Sequence, residues 1–190
     1  PVIVESLSNM RGNIPEDCLP YVISTYYAIL KNAAFKHAVA PTTVIRFGAQ
    51  PVSKFLSIFI TESVPENYII VDEDPMFRDS TSMATNFIHA NINESFAHLA
   101  IESKIEESYV ALWQQAQQIA LGHIEHYIKN EHDEGALVGE MLQAIPQASD
   151  VFTSNSMPIR DIDTFYIPSD KDVRIIANRG ANGIDGVIST

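Results

Sequence analysis

Short apolar runs rich in β-branched residues alternate along this chain with longer stretches of helical periodicity. That alternation most constrains what the chain can fold into. Val2, Ile3 and Val4 read as a first strand, and residues 19–39 carry a helical pattern rich in Tyr, Ile and Leu. Thr43–Phe47 reads as the next strand and breaks at Gly48; a helix over about 52–60 follows, with Pro51 at a tolerated first-turn position. Residues 68–71 read as a third strand that ends in Asp72, Glu73 and Asp74 before Pro75, and residues 88–92 as a short further one. From 94 to 129 there is no Pro and little Gly, and the pattern is helical throughout. A helix over 134–145 and strands at 150–153 and 173–176 then open a second α/β set. The expected fold is α/β with a mainly parallel sheet. Its domain boundary falls within the long helical stretch, dividing the chain into 1–104 and 105–190.

Bulk properties narrow the partners. The 190 residues include 12 Lys and Arg against 24 Asp and Glu, a net charge of -12, which would repel a phosphate backbone or an anionic membrane surface. Apolar residues make up 46% of the chain, enough for a core, and no apolar run approaches the roughly 18–20 residues that span a bilayer. The single Cys18 excludes an internal disulfide framework and a multi-cysteine zinc site, which fits a reducing, cytoplasmic compartment. The chain opens on Pro1 and stops at Thr190 just past a Gly-rich turn, and so reads as a segment of a longer protein.

In open α/β sheets ligands bind beyond the carboxyl ends of the strands, and four such ends are chemically distinctive here. In Arg46-Phe47-Gly48-Ala49-Gln50-Pro51-Val52-Ser53-Lys54, the lysine falls in a helix's first turn, where a cation opposes the dipole. That placement suits an anionic ligand shared with the amides, or else an ordinary exposed lysine. In Ser154-Asn155-Ser156-Met157-Pro158-Ile159-Arg160-Asp161, a hydroxyl and a guanidinium can meet one carboxylate; the plainer reading is a helix cap and a solvated ion pair of Arg160 with Asp161 or Asp163. Asn178-Arg179-Gly180-Ala181-Asn182-Gly183-Ile184-Asp185-Gly186 permits close backbone approach to a ligand, but has neither dinucleotide-fingerprint nor P-loop spacing. Asp72-Glu73-Asp74 is an acidic turn that could hold a ribose or a metal. His123 and His126 stand three apart around Glu125, with His132 beyond, but no HExxH pattern or cysteine pair completes a zinc set. No Gly-x-Ser-x-Gly elbow is present, and Tyr26, Tyr27 and Trp113 read as core or interface residues.

Three of these segments, taken in order, closely resemble one family. They are Val44-Ile45-Arg46-Phe47-Gly48 with Pro51-Val52-Ser53-Lys54, then Ser154 to Asp163, then Asn178 to Gly186. The family is that of the thiamine-diphosphate-dependent synthases forming 2-succinyl-5-enolpyruvyl-6-hydroxy-3-cyclohexene-1-carboxylate in menaquinone biosynthesis. Val71-Asp72-Glu73-Asp74 and Phe77-Arg78-Asp79 extend the resemblance along essentially the whole chain. It implies a Rossmann-like central domain over 1–104. Residues 105–190 would then be a linker helix and the truncated start of a diphosphate-binding α/β domain.

The resemblance also implies an activity. Family members decarboxylate 2-oxoglutarate on thiamine diphosphate, with Mg2+, and add the succinyl unit to isochorismate. By motif match Lys54, Ser156, Arg160 and Arg179 would contact substrate, and Ile184 would prop the cofactor. No catalytic residue and no metal ligand falls within the segment, so the segment alone is expected to be inactive. The parent is expected to be a cytoplasmic homodimer or homotetramer that neither binds nucleic acid nor inserts into membranes. Phe55 follows Lys54 where some relatives carry a second cation, a departure from the family pattern. A reading of another class is a non-catalytic Rossmann-like module for oligomer contacts or a regulatory metabolite.

Overall fold

The computed structural model describes residues 1–98 and 106–178, and they fall into two compact units. One is Leu30–Tyr109; the other joins Pro1–Ile29 to the chain from Val110 onward. Pro1–Ile29 thus packs with the later part of the chain. Every strand pairing is parallel among the described residues, and the fold is α/β. No helix among them is long and apolar enough to cross a membrane.

The first strand β1 (Val2–Ile3) pairs with β2 (Val22–Ile23), followed by α1 (Tyr26–Ile29) and α2 (Ala33–Ala38). This corrects the single helix expected over 19–39. Pro20 opens a 3-10 turn at Leu19–Tyr21, and β-branched Val22 and Ile23 take extended backbone because β1 offers a parallel partner. Asn32 then restarts the helix by accepting from the Phe35 N–H at 3.0 Å.

Within 30–109, β3 (Thr43–Phe47), β4 (Asn67–Asp72) and β5 (Asn86–His89) form a sheet in chain order. The central strand buries Tyr68, Ile70 and Val71 almost completely, as a strand covered on both faces should. β5 is exposed along its length, and it ends at His89 rather than running to 92. Asn91 stops it there: its Oδ1 accepts from the N–H groups of Asn93 and Glu94, opening α4 (Ile92–His98). Between β3 and β4, α3 (Lys54–Ser63) buries Leu56, Phe59 and Ile60, spaced as one helical face. Pro51 precedes this helix rather than entering its first turn. Gly48 closes β3 with φ +75, donating its N–H to Val71 at 2.8 Å, a backbone conformation that favours glycine.

The stretch read as continuously helical holds α4 and α5 (Glu107–Asn130). Residues 99–105 lie outside the described part. α5 buries Trp113, Gln117, Ile124 and Ile128 in one stripe. Gln117 is the polar member and is fully used: Oε1 accepts from the Thr25 N–H and hydroxyl at 3.1 and 2.6 Å, and Nε2 donates to Ser24 Oγ at 2.9 Å. α6 (Glu134–Ala144), capped by Asp133, leads to β6 (Ser149–Thr153). A helix that the strand pattern did not reveal, α7 (Met157–Phe165), precedes β7 (Val173–Ala177) and packs on α6. The N-terminal segment docks on the far end of this unit through Gly12. A Cβ there would stand 2.2 Å from the Lys171 carbonyl oxygen, so only glycine lets the two backbones meet.

Candidate functional site

Lys54 is the first residue of α3, placed there by the Ser53 side chain, which accepts from the Leu56 N–H. It is exposed and makes no ion pair with another described residue. Phe55 beside it is half-buried. The cation eight residues earlier, on β3, is different. Arg46 is buried and donates from Nη1 to Gln50 Oε1 at 2.6 Å and to Tyr68 Oη at 3.1 Å, and from Nη2 to the Arg78 carbonyl. Arg46 therefore braces the loop after β4 rather than facing solvent.

That loop absorbs the acidic turn. Arg78 grips Asp72 through Nε and Nη2, with Nη2 2.7 Å from both carboxylate oxygens. Asp79 accepts from the Thr81 N–H and hydroxyl and from the Met83 and Ala84 N–H groups, all within 2.9 Å. Burial pushes both carboxyls up, but the donors around them more than offset it, holding each below its ordinary value of 3.8. A depressed folded-state pKa contributes stability that is present above the unfolded value and is lost as pH falls through the folded one. Thermal melts should thus begin to fall as pH drops below 3.8. The fall should be shallower with Asp72→Asn and Asp79→Asn combined; an unchanged slope would deny this loop its share of acid stability.

At the end of β6 the chain enters α7 through Ser156, at φ 75 and ψ −123, a region nearly restricted to glycine. Holding a serine there costs about 1–3 kcal/mol, and such strain gathers at functional sites. Its hydroxyl makes no capping bond to α7 and is exposed. Arg160, one turn into the helix, is exposed as well. Its Nη1 lies 3.8 Å from Met157 Sδ, and it forms no ion pair with Asp161 or Asp163. The solvated ion pair of the plainer sequence reading is absent. Asp161 is buried with Oδ2 unpartnered among the described residues; burial, then the charges of Glu134 and Asp133, push its carboxyl up against the pull of Arg160.

Asp163 is occupied elsewhere. Its Oδ1 accepts from Arg11 Nη2 at 2.7 Å and the Ser6 N–H at 2.9 Å, and its Oδ2 from Tyr26 Oη at 2.5 Å. Arg11, wholly buried, also donates from Nη1 to the carbonyls of Asp163 and Tyr166 at 2.7 and 3.0 Å, and from Nε to Val4 at 2.9 Å. A fork of donors thereby satisfies the last carbonyls of α7, where a positive charge also complements the helix dipole. Burial and the Asp163 charge drive the Tyr26 hydroxyl far upward, so it stays a donor. Sequence reasoning left Tyr26 as core and gave Arg11 no role; the three residues are linked only by the fold.

The structure brings Ser156 and Arg160 together at one helix start and leaves Lys54 in the other unit. Arg179 and Ile184, with the rest of the Gly-rich turn, lie outside the described residues. His123 and His126 are exposed on α5, and no group of three His, Cys, Asp or Glu among the described residues could hold a metal ion. The described residues therefore offer no donor set for Mg2+, and the part matched to the thiamine cofactor is outside them.

Comparison with known proteins covers the whole chain. The model of the middle domain of thiamine pyrophosphate enzymes matches residues 2–153. A 2-succinyl-5-enolpyruvyl-6-hydroxy-3-cyclohexene-1-carboxylate synthase of Lysinibacillus sphaericus is 59% identical over 100% of this chain and 34% of its own length. Enzymes of the same name from Geobacillus thermodenitrificans and Oceanobacillus iheyensis are 36% and 34% identical, again over 100% of this chain and 33% of theirs. The chain thus spans about a third of the length of the curated relatives it matches.

Proposed function

We propose, from the premise that this chain belongs to the middle-domain family of thiamine pyrophosphate enzymes, that it is part of a synthase condensing two dicarboxylates. In this reading the parent decarboxylates 2-oxoglutarate on thiamine diphosphate, with Mg2+, and transfers the succinyl unit to isochorismate. It is a transferase of the cytoplasm and a homodimer or homotetramer. Residues 1–104 supply the central domain, and 105–190 the linker and the start of the diphosphate-binding domain. Lys54, Ser156, Arg160 and Arg179 meet substrate carboxylates, and Ile184 packs against the cofactor. Bound thiamine diphosphate supplies the carbanion chemistry, and this segment's residues supply charge and orientation.

The observation that carries the reading is Arg160. A guanidinium one turn into α7 stands exposed with two aspartates close by in sequence, yet it pairs with neither. Asp163 is spent on Arg11 and Asp161 is turned into the protein, so the planar fork is left for a ligand carboxylate. The strained Ser156 places a hydroxyl at the start of the same helix.

Assay of the full-length parent with thiamine diphosphate and magnesium tests this. Consumption of 2-oxoglutarate should depend on isochorismate for condensed product, with carbon dioxide released. The 190-residue chain alone should turn over neither substrate. A parent that binds a metabolite or assembles but shows no decarboxylation would instead favour the non-catalytic module.

A further inference from the structure

We propose that Arg11, Asp163 and Tyr26 are positioning residues for substrate binding: together they fix α7 so that Ser156 and Arg160 face the substrate carboxylate. The inference rests on the reading that Arg160 contacts substrate. None of the three carries an exposed charge that could do so itself. Arg11 is 0% and Asp163 2% exposed, and Tyr26 is buried.

The geometry favours positioning over general packing because the bonds converge on one short helix. α7 has nine residues, and a helix that short holds little intrinsic stability, so its orientation depends on what grips it. Arg11 holds its final carbonyls, through Asp163 and Tyr166. Asp163, one turn beyond Arg160, ties the inner side to Ser6, Arg11 and Tyr26. All three carboxylate bonds come from the N-terminal 26 residues, which are themselves held by β1 and β2. The N-terminal segment is thus the frame against which α7 is set. A guanidinium that must present a planar fork tolerates little rotation of the helix beneath it.

Removing either charge outright risks losing the fold, so the decisive variant is Tyr26→Phe in the full-length parent, which deletes one hydroxyl from Asp163 Oδ2. Arg11→Lys, which keeps the charge and loses the fork, is its companion. Tyr26→Phe should raise KM for whichever dicarboxylate Arg160→Ala affects by about tenfold, with kcat and thiamine diphosphate affinity nearly unchanged. Arg11→Lys should move KM in the same direction. In an Arg160→Ala background Tyr26→Phe should add far less than tenfold, because the charged group it positions is gone and only the Ser156 hydroxyl remains. A lowered Tm with wild-type KM would reduce the network to structural support and overturn the inference. So would a Tyr26→Phe effect that multiplies in full onto Arg160→Ala. Wild-type kinetics for Arg160→Ala itself would instead defeat the substrate reading, and the positioning role with it.

Discussion

Asp163→Ala is expected to destabilise the unit built from 1–29 and 110 onward by about 3–5 kcal/mol, the cost of stranding one member of a buried ion pair. Arg11 has no access to water, so its charge would stay buried without its counter-ion. The Ser6 N–H and the Tyr26 hydroxyl would lose their acceptor at the same stroke. Total stabilities of about 5–15 kcal/mol leave little margin for such a loss. Replacing the pair together, Arg11→Met with Asp163→Leu, should be much milder, because no charge is then left unpaired. Urea titrations followed by circular dichroism and by Trp113 fluorescence would measure both. An Asp163→Ala midpoint within error of wild type would show that the network contributes nothing to this unit.

Arg160→Ala should do the opposite: little to stability and much to turnover. The side chain is exposed and forms no ion pair among the described residues, and surface truncations of that kind move stability by about 0.5 kcal/mol or less. In the full-length parent the same variant should lower kcat/KM by roughly 30–1,000-fold, equal to about 2–4 kcal/mol for a lost charge-assisted contact. Thiamine diphosphate affinity should be unchanged, since the cofactor is not what the guanidinium meets. Steady-state kinetics with each dicarboxylate varied in turn would show which one Arg160 holds. Wild-type values for both would remove Arg160 from the site. Asp163→Ala and Arg160→Ala, three residues apart on one helix, therefore separate what holds α7 from what α7 presents.

The alternation of β-branched runs with helical periodicity was enough to reach an α/β fold with parallel strands. It was enough because burial on both faces of a central strand demands a continuous apolar run such as Tyr68 to Val71, which needs no partner to be recognised. At the strand ends the residues themselves left Lys54, and Ser156 with Arg160, between a ligand and an ordinary surface reading; their role toward substrate came only from the resemblance. What local pattern could not reveal was which contact would prevail. Residues 19–39 have a helix-compatible pattern, yet Val22 and Ile23 become a strand because β1 lies alongside, about twenty residues away in sequence. α7 was legible only as a helix cap, and not as a full helix, because its nine residues carry buried aspartates where a helix of this kind would normally show apolar ones.

Local sequence by itself determined the parallel α/β plan, the caps at Ser53 and Asp133, and the exposed cations at the strand ends. Each depends on residues within a few positions of one another. Only the tertiary structure decided that Asp163 would answer Arg11 and not Arg160. The two are 152 residues apart, and a buried charge takes whichever counter-ion the fold seals in with it, because a desolvated ion cannot remain unpaired. That choice leaves Arg160 without Asp163 as its counter-ion.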